Sequence, residues 1–198
     1  MPELLFSSAT MPGKDDITRH VYANGVTLLA RRNFNSPAVV IRGYMPVGAI
    51  SDPSDKLGLA SYTASSLMAG TSTNNFEQLN QRIESIGASL SFHSGALSTA
   101  FSGQCLSEDL PTLLALITEI YTQPVFPAQQ VKRIKGQILS MLDIQAQSTS
   151  DQADLTFDRL FYGTHPYAQP VEGTPESIRA ITRSDLVAFH QDMFQPSG

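Results

Sequence analysis

The chain has 198 residues, 41% hydrophobic and 16% charged, with 13 basic against 18 acidic side chains and a net charge of −5. This is the balance of one globular domain with a real core, which excludes disordered and fibrous classes; the acid excess, without a Lys/Arg run, argues against nucleic acid as a partner. A single cysteine, Cys105, excludes an internal disulfide, and no run approaches about 18 apolar residues, so no membrane span is predicted and a soluble domain in a reducing compartment, cytoplasmic by default, is expected.

The opening MPELLFSSATMPGKDD lacks a basic start leading into a long apolar stretch, so residues 1–17 read as an N-terminal extension and not as a signal peptide. In ITRHVYANGVTLLAR (17–31) two β-rich runs flank Asn24-Gly25 and predict a hairpin. AVVIRGYMPVGA (38–49) predicts a strand closed by Pro46 and Gly48. The loop SDPSDK offers Ser54 or Asp55 as a helix cap, and helical periodicity follows through 57–68. NFEQLNQRIESIG (75–87) predicts a second helix that stops on Gly87. ASLSFHSGALSTAFSGQCL (88–106) alternates as two strands turning near Ser94-Gly95.

From Ser107 onward the pattern is mostly helical. Ser107 is the expected N-cap of a helix with Pro111 in its first turn. PAQQVKRIKGQILSMLDIQAQ and SDQADLTFDRLFYG follow, then two short helices opened by Thr174 and by Thr182 or Ser184. The one locally basic stretch, VKRIK at 131–135, reads as a solvated helix face. Strands in pairs first and helices later predict an α+β fold, a mostly antiparallel sheet with helices packed on one face. The final QPSG reads as a turn toward a further strand, so the domain at 18–198 is expected to be cut before its last strand and helix, as a fragment of a longer protein.

Candidate chemistry is sparse. His20, His93, His165 and His190 are scattered, no two of them three to five residues apart, and each reads as structural or surface. No helix pairs histidines with a glutamate on one face as a zinc hydrolase requires. Cys105 reads as a small buried apolar residue; a Cys105–His93 nucleophile pair on neighbouring strands lacks a third, orienting group. Ser61, Ser65 and Ser66 have no G-x-S-x-G elbow around them, and the glycines form no phosphate-cradling loop.

Longer phrases carry more information. MPVGAISDPSDKLGLASYTASSLMAGT keeps Gly58, Leu59 and Ala60 at a helix start, Leu67 inside and Gly70-Thr71 at the end. FEQLNQRIESIGASLSF follows, and FYGTHPYAQPVEGTPESIRAITRSDLVAFHQDMFQP closes the chain. From about residue 18 to the end, this order of phrases resembles the N-terminal domain of the M16 metallopeptidases, the insulinase, pitrilysin and mitochondrial processing peptidase family. The resemblance implies the LuxS/MPP-like metallohydrolase fold.

It also implies where a metal site would stand. The family's inverted zinc motif, His-x-x-Glu-His, falls on Ser61, Ala64 and Ser65, and its later glutamate ligand falls on Met141. Hydroxyls and a thioether cannot hold zinc against water, so no metal and no catalytic residue are expected in this chain. The family's substrate-holding strand falls on Ser91, Phe92 and Ser94, where an extended peptide could still pair through its backbone. By resemblance, the expected role is that of a non-catalytic subunit or half that pairs with a homologous partner carrying His-x-x-Glu-His, which alone would hold zinc, and that helps to enclose peptides. The alternative is a structural or assembly protein, like the core proteins of the bc1 complex, with no part in proteolysis.

Overall fold

The computed structural model describes residues 13–33 and 35–195. Most of the expected extension and the expected final turn fall on 1–12 and 196–198, outside the described residues. The chain divides into two compact units after Pro37. In the first, β1 (Ile17–Val21) pairs antiparallel with β2 (Thr27–Arg31), Ile17 opposite Arg31 and Val21 opposite Thr27. The Asn-Gly signal is realised here. Gly25 takes φ 86°, a conformation open to glycine at little cost, while Tyr22 N–H donates to the Val26 carbonyl at 2.9 Å to close the turn.

The second unit, Ala38–Gln195, holds a three-stranded antiparallel sheet in the order β3 (Ala38–Met45), β5 (Thr99–Leu106), β4 (Ser89–Ser94). Its helices are α1 (Leu59–Ser66), α2 (Phe76–Ser85), α3 (Leu110–Thr122), α4 (Ala128–Gln147), α5 (Thr149–Tyr162), α6 (Pro175–Ala180) and α7 (Arg183–Met193). Strand periodicity sorts the two faces. In β3, Val39, Ile41 and Met45 turn inward, while Val40 and Tyr44 are 61% and 71% exposed. Leu113 and Ile117 of α3 pack with Cys105 against the inner face. The larger core lies among the helices, where Tyr62, Leu67, Leu79, Ile120, Ile178 and Leu186 are all fully buried. Each such side chain contributes roughly 1.5–3 kcal/mol by leaving water.

Most helix starts follow local rules. Asn75 and Gln78 form a capping box on α2, as do Thr174 with Ser177 on α6 and Thr182 with Asp185 on α7, so Thr182 and not Ser184 opens the last helix. Two expected caps differ. Ser107 lies in a short 3-10 turn, Ser107–Asp109, and α3 starts at Leu110 without a side-chain cap. Pro111 occupies a first-turn position whose N–H a cap would have bonded, so a capping hydroxyl has little to accept. Neither Ser54 nor Asp55 caps α1; a residue further back does so.

Candidate functional site

The helix start that resembles a metal-binding frame is held from several directions. Gly58 sits at φ 88° ahead of α1 and brings no capping side chain. Asp52 supplies the cap from a distance, its carboxylate accepting from Gly58 N–H at 2.7 Å and Ala60 N–H at 2.8 Å. Burial pushes the Asp52 carboxyl up to about 6, against the opposing pull of those backbone donors. The short turn Ala49–Ser51 just before it docks on the β4–β5 connection through Ala49 N–H to Gly95 O and Ile50 N–H to Ala96 O, both at 3.0 Å. One turn into α1, the buried Tyr62 hydroxyl donates to the Val131 carbonyl of α4 at 2.6 Å.

The segment 170–177 closes the other side. Gly173 has φ 77°, and a Cβ there would stand 2.2 Å from Leu57 O. That close approach lets Ser177 Oγ donate to the same Leu57 carbonyl at 2.7 Å. It also places Glu172 over the helix, where Ser61 Oγ donates to Glu172 Oε2 at 2.6 Å.

The four positions onto which the resemblance sets the zinc motif have distinct surroundings. Ser61 is 6% exposed and committed to Glu172. Ala64 is 1% exposed and offers only a methyl. Ser65 and Met141 come together as two walls of one cleft of about 260 Å³ between α1, the start of α2 and α4. None of the four presents an imidazole, thiolate or carboxylate, so this donor set does not fit zinc. Among the described residues, no group of three His, Cys, Asp or Glu side chains is placed to hold a metal ion. Glu172, absent from the sequence expectation, also lines a second cleft of about 420 Å³ together with Asp151, Asp154 and Asp158 of α5.

Beyond α1 the chain turns at Gly70-Thr71, and Glu119 of α3 organises that turn. Thr71 Oγ1, Thr73 Oγ1 (2.5 Å) and Asn74 Nδ2 (2.7 Å) all donate to Glu119 Oε1. Burial would raise the Glu119 carboxyl, but these donors outweigh it and hold it below its ordinary range.

The candidate substrate strand is β4, an edge of the sheet whose described strand partner is β5 alone. Ser91 is exposed, whereas Phe92 packs toward Phe101 with ring centroids 5.9 Å apart and Ser94 is buried. Cys105 and His93 cannot form a nucleophile pair. His93 lies opposite Ala100, five residues from Cys105 along β5, so strand alternation puts the two side chains on opposite faces of the sheet. Burial also pushes the Cys105 thiol up, with Asp109 adding to the effect, away from a reactive thiolate. His190 is structural: its Nε2 hydrogen-bonds the Tyr121 carbonyl at 2.8 Å, and burial lowers its pKa. His165 caps a short turn by accepting from Tyr167 N–H on Nδ1 at 3.2 Å. His20 and His93 are exposed on β1 and β4.

The basic stretch 131–135 is not simply a solvated face. Lys135 Nζ donates to the Arg179 and Ile181 carbonyls at 2.8 and 2.7 Å, satisfying the end of α6. Arg133 lies over the Phe76 ring, 4.9 Å from its centroid.

The sequence pattern of the family described as insulinase (peptidase family M16) matches residues 7–174. The chain belongs to that family. Among M16 relatives, cytochrome b-c1 complex subunit 1 of Rattus norvegicus is 28% identical over 173 residues, covering 85% of this chain and 35% of its own length. An uncharacterized zinc protease of Mycobacterium leprae is 24% identical over 153 residues, covering 77% of this chain and 34% of its own. Among solved structures, a peptidase M16 inactive domain from Pseudomonas fluorescens superposes with a TM-score of 0.83 at 29% identity, over 88% of this chain and 42% of that one. A protease from Helicobacter pylori gives 0.84 at 15% identity, over 91% of this chain and 44% of its own, a likeness of fold alone. The chain thus spans about a third of the length of the curated relatives it matches. The α+β architecture expected from the sequence is the M16 architecture. Among the described residues, no helix is long and apolar enough to cross a membrane.

Proposed function

We propose that this M16 chain is the non-catalytic member of a pair, working beside a homologous subunit or domain that carries His-x-x-Glu-His and zinc, and helping to enclose and hold peptides. One observation carries the reading: α1 keeps the Gly58-Leu59-Ala60 start and the Gly70-Thr71 turn that resemble the family's frame, while the four positions onto which that resemblance sets the zinc motif hold side chains that do not bind zinc. Ser61 is satisfied by Glu172 and Ala64 is packed, so the position is occupied by protein–protein contacts in place of metal–ligand ones. Peptide holding is assigned to the open edge of β4 at Ser91, Phe92 and Ser94, where backbone pairing needs no particular side chain. The similarity to a structure described as an inactive M16 domain supports the same reading.

The test is to mix the full chain with a partner carrying the intact motif and to follow cleavage of an unstructured fluorogenic peptide. A several-fold rise in the partner's turnover is expected; a partner fully active alone that gains nothing would sink the proposal. A second reading, a structural subunit with no role in proteolysis, is favoured by the similarity to cytochrome b-c1 complex subunit 1. It predicts tight association with a complex and no change in peptide turnover.

A further inference from the structure

We infer that the cleft left where the metal frame lost its ligands is a binding site for the free C-terminus of a peptide ending in an apolar residue. The inference deepens the peptide-holding half of the function proposed above, on which it rests for its biological use.

The cleft is built as two zones. Its floor is the buried Ala69, Ile134 and Ile138, and its walls are Met68 and Met141, unbranched and polarisable side chains that reshape around an apolar guest. The exposed Arg133 of α4 also lines the cleft. The guanidinium is steadied from two sides, by the Phe76 ring beneath it and by Nε donation to Gln130 Oε1 at 2.8 Å. Among the described residues it forms no ion pair, and its terminal N–H groups donate no hydrogen bond. A positioned arginine with an unused planar fork is matched to a carboxylate, which it grips through two parallel hydrogen bonds.

Size selects the occupant. At about 260 Å³ the cleft is below the roughly 300–1,000 Å³ of sites that enclose larger ligands and has room for one apolar side chain. A C-terminal residue carries its apolar side chain and its carboxylate on one Cα, so a single residue meets both zones. A glutamate or aspartate side chain would need a second residue to fill the apolar floor. Replacing the motif's glutamate ligand by Met141 is what makes this possible, because a carboxylate on that wall would repel an anionic guest.

The experiment measures binding of labelled peptides to the full chain by fluorescence anisotropy. The probe is a Gly-Ser-Gly-Leu-Leu peptide labelled with a fluorophore on its N-terminal amine, as its free acid, with two comparisons: its C-terminal amide, and an amide carrying glutamate before the last leucine. The free acid is expected to bind at least roughly tenfold more tightly than either amide, the scale of one charge-assisted pair. Arg133→Gln should bring the acid down to the level of the amide, and Met141→Glu should weaken the acid more than the amide. Both positions are exposed, and the melting temperature of each variant verifies that it folds. Equal binding of acid and amide, discrimination that survives Arg133→Gln, or no binding of any probe would overturn the inference. Tight binding of the glutamate-bearing amide would overturn the terminal carboxylate as the recognised group. The pairing function is read separately, from a partner's turnover, so either idea can fail while the other stands.

Discussion

Gly173→Ala is the sharpest test of how the segment 170–177 is held against α1. At φ 77°, an L-residue costs about 1–2 kcal/mol in the left-handed region. The new Cβ would also lie 2.2 Å from Leu57 O and 2.8 Å from Leu57 C, so the backbone must move, at roughly 1–3 kcal/mol for an overpacked contact. Together these give a loss of about 2–5 kcal/mol. For a unit of this size that lowers the melting temperature by roughly 5–15 °C. Gly87→Ala is the matched control: φ is 58° just past the end of α2, but nothing lies within 4 Å of the added Cβ, so only the conformational cost of about 1–2 kcal/mol applies. The chain has no tryptophan, so unfolding is best followed by far-ultraviolet circular dichroism. If the two variants melt within about 2 °C of one another, the close approach between Gly173 and Leu57 does not hold the segment against α1, and the account of how Glu172 reaches Ser61 is wrong.

Three further outcomes are expected. Tyr62→Phe removes the donor to the Val131 carbonyl and should cost about 1 kcal/mol in urea unfolding; no change would mean that α1 is not tied to α4 by that bond. Asp52 holds its proton more tightly in the folded chain, about 6 against an ordinary 3.8, so the folded state binds more protons than the unfolded one between those values. Stability should therefore fall, by about 1 kcal/mol after solvent screening, as pH rises from 4 to 6; Asp52→Asn should abolish that slope, and an unchanged slope would remove Asp52 as its source. Finally, a chelator should leave the melting temperature unmoved, and elemental analysis of the purified chain should find far less than one zinc per molecule; stoichiometric zinc displaced by changes at Ser61 or Ser65 would overturn the donor-set argument.

Much of the fold was legible because its determinants are local. Asn24-Gly25 and the Thr174 cap each act within four residues, so the sequence alone places a hairpin and a helix start and narrows the last helix start to Thr182 or Ser184, between which the structure chooses Thr182. The family frame was legible too, as a set of turn residues and spacings. What escaped were contacts that cross long separations. Asp52 caps α1 from six and eight residues away by way of a looped segment, and the nearer Ser54 and Asp55 drew attention from it. Ser61 and Glu172 are 111 residues apart, and no periodicity links them. Arg133 and Lys135 read as solvated because helical spacing says nothing about a ring supplied by α2 or carbonyls supplied by α6.

The anchoring of α1 has a consequence for substitution. A carboxylate, a phenol and a glycine-tight strap secure this helix, and none of them belongs to the motif that would coordinate an ion. Side chains at positions 61, 64 and 65 can therefore vary while the protein goes on folding, because the helix is anchored from elsewhere. The scaffold of α1 is thus independent of whatever chemistry the helix face carries.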